Sequence, residues 1–362
     1  MNNLESVRSQ EILFHVGYHK TATSWLQKHF FRENVGFSQV LSNDEVAELI
    51  TDPLDFDFDA ARVQRTIRAQ LDRGGLVNVV SNETLCGHPF YGGREGPLFA
   101  GRIQAIAPRG KILFTIREQK KIIASTYMQY ISRGGALSPQ EFFGRSVEKY
   151  GYYRFNHRHF LYDRLVKQYM DRFGAERVLV VTLESFIRDP GAVLGSIARF
   201  AGADLAVVTG GIAGALSGRR EGESPVEGVV PVLRRVNHFR RGAAKREVVT
   251  DLGGLSAWLY RAANRLGRDR RVKRWLRDVT PVSAVVRERF GGAFGESNRR
   301  LQALLGSTVD LAGDGFDMGE GGGPKGARAS AAAEAAIGPT RPGRAHEALA
   351  VDQRVDRVLP PA

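Results

Sequence analysis

The chain has 362 residues, 43% of them hydrophobic, enough for one large domain or two small ones. Its single cysteine, Cys86, excludes an intrachain disulfide and a cysteine-rich metal centre. A formal charge of +13 and a pI near 10.1 exclude an acidic surface and point to anionic ligands: a nucleotide, an acidic glycan, a membrane surface or nucleic acid.

No run of about 18 apolar residues occurs, and the first residues lack the basic start and long apolar core of a leader peptide. Together these predict a cytoplasmic enzyme. The first apolar run, Ile12 to Val16, reads as a strand ending at Gly17. A polar turn follows, Tyr18 to Ser24, and then a helical pattern with Trp25, Leu26, His29 and Phe30 on one face. A strand, a polar loop and a helix N-terminus make a phosphate site, because backbone N–H groups and the helix dipole both favour an anion there. Lys20 adds a full charge, and Thr21, Thr23 and Ser24 add hydroxyl donors. The spacing differs from the G-x-x-x-x-G-K-[ST] loop of nucleotide triphosphatases. Lys20 comes three residues after Gly17, with no second glycine before it.

A polar segment, Asn43 to Asp59, precedes a helical stretch from Ala60 to Leu71. Leu76 to Val80 reads as a second strand ending in Ser81, Asn82 and Glu83. In an open α/β sheet ligands sit beyond the carboxyl ends of strands, so Glu83 stands where a catalytic group belongs. Lys111 to Ile116 is the third strand, with Arg117 directly after it and a helix from Lys120 to Ser132, ended by Gly134-Gly135. Arg117 and Ser125 point to a common place above the sheet, and a guanidinium fork with a hydroxyl suits a phosphate monoester.

Residues 138–173 read as aromatic-rich helices. The run YGYYRFNHRHF lines a substrate cleft on one reading and packs on the sheet on the other. His157 and His159, two apart, fall on different helix faces, and no metal site is assigned. Arg177 to Leu183 is a fourth strand, followed by Glu184 as a loop-capping carboxylate, Asp189-Pro190 and a helix from Gly191 to Ala201. Thr209 to Pro225 reads as a flexible loop carrying Arg219 and Arg220. Two basic helices follow, Val229–Phe239 and Leu255–Leu266, within a stretch (217–300) that holds 20 Lys and Arg against 9 Asp and Glu. A basic amphipathic helix either lies on an anionic membrane or packs on its own domain; packing is the favoured expectation. Ser297 is expected to cap the helix that runs to Leu305. Residues 1–318 are expected to form one domain. The Gly-, Ala- and Pro-rich stretch 319–362 has too little apolar bulk to offset ordering entropy and is expected to be disordered.

The loop GYHKTATSWLQ resembles the 5′-phosphosulfate loop of sulfotransferases that use 3′-phosphoadenosine 5′-phosphosulfate (PAPS). ILFTIREQKKIIASTYMQYI is similar to that family's second landmark, a strand, an Arg and a Ser on the next helix that together hold the 3′-phosphate. It departs at Gln119, where the family usually has Pro. VLVVTLESFIRDPGAVLGSIARFAGAD resembles the family's strand, Asp-Pro turn and helix, with Leu183 in place of a Tyr. FGGAFGESNRRLQALLGSTVDLAGDGFD looks like the closing element of bacterial members.

The resemblance implies an α/β fold with a parallel β-sheet flanked by α-helices, of the P-loop-containing nucleotide-hydrolase-like kind. It implies PAPS as sulfuryl donor, with no metal, bound by Gly17, His19, Lys20, Thr21, Ala22, Thr23, Ser24, Trp25, Arg117 and Ser125. It implies Lys20 and Glu83 as catalytic residues, with His88 and His19 as alternative bases. The acceptor would be a hydroxyl or amine on a small molecule or glycan, and nucleic acid is not expected as a partner. Two rival classes remain on the residues alone: a P-loop kinase or nucleotide triphosphatase, and a non-catalytic anion-binding module.

Overall fold

A computed structural model of the chain describes residues 7, 11–71, 75–144, 155–213, 227–242, 252–267, 269 and 279–319. Five short strands form one parallel sheet: β1 (Leu13–His15), β2 (Phe37–Gln39), β3 (Val77–Ser81), β4 (Lys111–Ile116) and β5 (Val178–Thr182). Their order is β2-β3-β1-β4-β5. Parallel pairing demands a crossover between successive strands, and helices supply it on both faces. The main ones in chain order are α1 (Thr23–Trp25, continued by a π-helical turn Leu26–Phe30), α2 (Ala60–Gln70), α3 (Gly96–Ile106), α4 (Gln119–Ser132), α5 (Tyr162–Phe173) and α6 (Pro190–Ala201). After them come α7 (Leu205–Ile212), α8 (Val230–Asn237), α9 (Gly254–Leu266), α10 (Val282–Phe290) and α11 (Gly295–Leu305).

The strand sequences are apolar on both sides because both faces of the sheet are covered. Phe14, Val80, Ile112, Phe114 and Val180 pack into one core with residues of α3, α4, α5, α10 and α11. Leu13, Val79, Leu113 and Val181 point the other way, onto Leu26, Phe30, Phe37, Leu194, Ile197 and Val208. Each such side chain, taken fully out of water, contributes about 1.5–3 kcal/mol. The connection after β1 leaves toward β2, and the connection after β4 leaves toward β5. The carboxyl ends of β1 and β4 therefore flank the switch point of the sheet, where an open α/β fold leaves its crevice.

The expected sheet, its flanking helices and four of its strands are present. Four local expectations are corrected. β2 lies in a stretch not read as a strand. The segment Asn43 to Asp59 holds a helix at Asn43–Val46 with a full capping box between Ser42 and Glu45, and a π-helical turn at Ala47–Thr51. Thr209 to Ile212 are the last turn of α7 rather than loop. Ser297 does not cap α11: that helix starts two residues earlier, after Phe294, and the buried Ser297 hydroxyl donates to the Asp163 carboxylate on α5. Asp163 also takes Arg300 Nε at 2.6 Å, so α5 and α11 are joined by a polar contact inside their apolar one.

The described residues all belong to one compact unit, Met1–Gly321. The Arg219-Arg220 loop and the stretch expected to be disordered, from residue 320 on, lie outside the described residues. Among the described residues no helix is long and apolar enough to cross a membrane.

Candidate functional site

The loop after β1 is shaped from beneath by one chain of buried side chains. Thr21 Oγ1 donates to the Tyr18 carbonyl. That leaves Thr115 to donate to Thr21, at 2.7 Å. Thr115 must then accept from His15 Nε2 at 3.0 Å, and His15 Nδ1 accepts from Ser81 at 2.8 Å. His15 is thereby fixed as the Nε2–H tautomer, and burial lowers its pKa to about 3, keeping it neutral. Gly17 lies across this chain: a Cβ there would stand 2.5 Å from Thr115 Oγ1 and 2.6 Å from His15 Nε2. Glycine is required by closeness of approach.

Above the chain, Lys20 and Ala22 hold positive φ angles of 66° and 68°. Neither is glycine, and each such residue costs about 1–3 kcal/mol unless its surroundings impose it. Left-handed residues alternating with Thr21 turn successive N–H groups to one side, the concave arrangement that holds anions. Thr23 then opens α1, whose first-turn amides have no intrahelical partner. Two buried side-chain atoms here have no hydrogen-bond partner among the described residues, His19 Nδ1 and Thr23 Oγ1. Thr21, by contrast, spends its hydroxyl inward and shapes the loop, a correction to its expected role as a donor to phosphate. Ser24 is exposed, and Trp25 packs edge-on to Phe186 at 5.2 Å, beyond the end of β5.

Three cations surround this loop without an ion pair or side-chain hydrogen bond among the described residues: Lys20, Arg117 and Arg133. Burial lowers the pKa of both Lys20 and Arg117, so water solvates neither charge fully. A half-buried cation left unpaired calls for an anionic ligand. Arg117 follows β4, held by Tyr162, whose hydroxyl donates to its carbonyl at 2.8 Å. Arg117 and Ser125 do share a site: with Glu118, Lys120, Lys121, Ala124 and others they line a cavity of about 420 Å³. Glu118 caps α4 by accepting from the N–H groups of Lys120 and Lys121. Gln119 is fully buried and exchanges hydrogen bonds with Asn298 of α11 at 2.5 and 3.2 Å. Glu184 is structural, as expected: it accepts from the Glu118 N–H and pairs with Lys121 at 3.3 Å.

Glu83 sits one residue past Asn82, which caps the short 3-10 turn after β3. Pairing of His15 with Ser81 and with Leu113 brings Gly17, Glu83 and Thr115 to one level at the carboxyl edge. Burial raises the Glu83 pKa, and Lys20 and Arg133 oppose that rise. The two alternative bases are weaker. Burial holds His19 well below its ordinary pKa, and His88 at about 4. His88 Nδ1 is also spent, accepting from the Phe90 N–H at 3.2 Å.

Arg133 belongs to no sequence motif. It ends α4, and its guanidinium lies 5.8 Å over the Phe90 ring. Phe90 touches His88 at 5.0 Å, and His88 touches His19 edge-on at 5.0 Å. The only sequence signal was an Arg immediately before Gly134-Gly135. Where it is described, the aromatic run after residue 150 serves both readings: Phe155 and Phe160 are core, and Arg158 and His159 wall a smaller cavity of about 180 Å³ with Tyr18 and Gly93. No group of His, Cys, Asp and Glu able to hold a metal occurs among the described residues.

No protein-family model and no curated protein matches the chain. Among solved structures, the chain is similar to a sulfotransferase from Alicyclobacillus acidocaldarius, at 22% identity and a TM-score of 0.43 over 74% of this chain and 99% of that one. A mouse sulfotransferase complexed with PAP shows 16% identity and a TM-score of 0.34 over 76% of this chain and 92% of that one. A sulfotransferase domain from the curacin biosynthetic pathway shows 13% identity and a TM-score of 0.33 over 54% of this chain and 75% of that one. At these scores the assignment of function rests on the site itself.

Proposed function

We propose that the protein is a sulfotransferase that moves a sulfuryl group from PAPS to an acceptor hydroxyl or amine. One observation carries this reading. Lys20 and Arg117, on loops after the adjacent strands β1 and β4, are two separate desolvated cations that make no ion pair or side-chain hydrogen bond among the described residues, although Glu83 acts on the first and Glu184 on the second from a distance. A ligand with anionic groups at two ends and a nucleoside between them suits that pair, and the cavity of about 420 Å³ beside Arg117 and Ser125 offers the room. The orphaned atoms of His19 and Thr23 fit the same ligand.

Bound PAPS would supply an activated sulfuryl group on a 5′-phosphate. The loop amides, Lys20 and Thr23 hold the 5′ end, and Arg117 with Ser125 holds the 3′-phosphate. Lys20 faces the charge that develops on the departing phosphate oxygen, the kind of preorganised stabilisation that removes the most barrier. Glu83 takes the acceptor proton as the acceptor oxygen bonds to sulfur and the sulfur–oxygen bond to phosphate breaks. A carboxylate with a raised pKa is a better base near neutrality than one of ordinary acidity. Arg133, on the His88 side of Glu83, favours an acceptor that carries its own negative charge, such as an anionic carbohydrate or glycoconjugate.

Calorimetric titration with 3′-phosphoadenosine 5′-phosphate, against ATP and ADP with Mg²⁺, tests the reading. Micromolar or tighter binding of the first, weak ATP binding, and loss of binding in Lys20→Ala and Arg117→Ala are expected. Tight ATP binding with Mg²⁺ and none of the 3′-phosphate nucleotide would replace the reading with a kinase. Binding of neither would leave an anion-binding module.

A further inference from the structure

Helix α9 is amphipathic, but its apolar side faces outward. Leu255, the neighbours Trp258 and Leu259, Ala262 and Leu266 recur at three- and four-residue spacing, on one face of the helix. Leu255 is 54% exposed, Trp258 58% and Leu266 60%. The helix attaches to the protein by its other face. Ser256 is buried, and Tyr260 lies under the Arg240 guanidinium at 4.2 Å. Arg240 in turn donates to the Ser132 carbonyl at 2.9 Å, next to Arg133. Phe239 and Leu252, joined by a backbone hydrogen bond of 3.3 Å, extend the exposed apolar surface at the start of the helix. The helix thus packs on its own domain, as expected, but through Ser256, Tyr260 and Ala263 rather than through its Leu and Trp stripe.

What covers such a stripe is decided by the charges beside it. Arg261 and Arg265 flank it, both exposed and with no ion pair among the described residues. The next residues in sequence add Arg268, Arg270, Arg271, Lys273, Arg274 and Arg277. A second copy of the chain would bring like charges together around the apolar contact. Nucleic acid would meet the arginines and leave Leu and Trp uncovered. An anionic bilayer surface takes both, with Leu and Trp in the acyl boundary and Arg at the headgroups.

We propose that α9 docks the protein on anionic lipid membranes through its Leu255–Trp258–Leu259–Leu266 stripe, with Arg261 and Arg265 against the headgroups. The proposal is independent of the sulfuryl-transfer reading, because it needs no nucleotide or acceptor.

The test is flotation of the full-length protein with phosphatidylcholine vesicles, with and without phosphatidylserine. Flotation with the mixed vesicles and not with phosphatidylcholine alone is expected. The double variants Leu255→Ser/Trp258→Ser and Arg261→Glu/Arg265→Glu should each weaken binding at least about tenfold. Melting midpoints should stay unchanged, which excludes unfolding as the cause. The proposal fails if the parent protein does not float, or if either variant floats as well as the parent. It also fails if the apolar variant instead abolishes a concentration-dependent dimer in size-exclusion chromatography. Binding to duplex DNA that survives Leu255→Ser/Trp258→Ser, without flotation, would likewise overturn it.

Discussion

The loop after β1 and the helix α9 are both amphipathic stretches with basic residues, yet the fold uses them in opposite ways. The loop turns its hydroxyls and His15 inward, through the chain from Ser81 to Tyr18, and leaves Lys20 unpaired at the surface of the crevice. Helix α9 attaches by Ser256 and Tyr260 and leaves its apolar residues outside. Amphipathic pattern shows that two faces differ; it does not show which face the rest of the chain covers. Mutations should therefore act on the loop through chemistry at its outer residues and through folding at its inner ones, and on α9 through neither.

The largest expected effect is at Glu83. Glu83→Gln should lower the rate of sulfuryl transfer about 10²–10⁴-fold. The parent rate should rise with pH through the raised Glu83 pKa, and a pH profile of the variant that kept this rise would remove Glu83 as the base. Lys20→Ala should cost roughly 10²–10³-fold in turnover, as for loss of one preorganised charge contact. It should not lower the melting temperature, because the Lys20 side chain makes no hydrogen bond or ion pair among the described residues; a clear drop in melting temperature would make Lys20 structural instead.

His15 should make stability depend on pH. Above its unfolded pKa of 6.5 both states are neutral; below it the unfolded ring takes up a proton that the folded ring refuses until about pH 3. Stability should fall as pH drops through that window, by on the order of a few kcal/mol. His159, also held to about 3 by burial, contributes in the same direction. Urea denaturation at neutral and acid pH measures the slope, and His15→Gln should flatten it. Gly17→Ala should destabilise by about 1–3 kcal/mol, since Thr115 and His15 must move to admit the methyl group; calorimetric melting decides it, and an unchanged melting point would show that the chain beneath the loop is soft. Trp258→Ser, smallest of all, should change folding stability by no more than about 0.5 kcal/mol, as an exposed substitution does.

The sheet was legible where a strand is an unbroken apolar run. β3, β4 and β5 were read close to their true bounds because both their faces are buried. β2 was missed because Phe37–Gln39 offers one buried aromatic and two polar residues. It is a strand only because β3 pairs with it. Lys20, Glu83, Arg117 and Ser125 were legible from their places after strands and on the helix that follows. Arg133 was not, because its relevance comes from the return of α4 to the His88 turn, a tertiary contact with no local pattern. The inward role of Thr21 is hidden for a related reason: a loop hydroxyl faces ligand or core according to what lies beneath, and Thr115 is 94 residues away.

The bond between Gln119 and Asn298 spans 179 positions of the chain. A ribosome adding about 5–20 residues per second delivers the second partner roughly ten to forty seconds after the first. Through that interval the turn that aims Arg117 lacks its clasp, and a buried amide waits for its mate. The pocket beside Arg117 is thus finished long after most of its wall is made, and a nascent chain can hold a complete sheet well before it can grip a ligand.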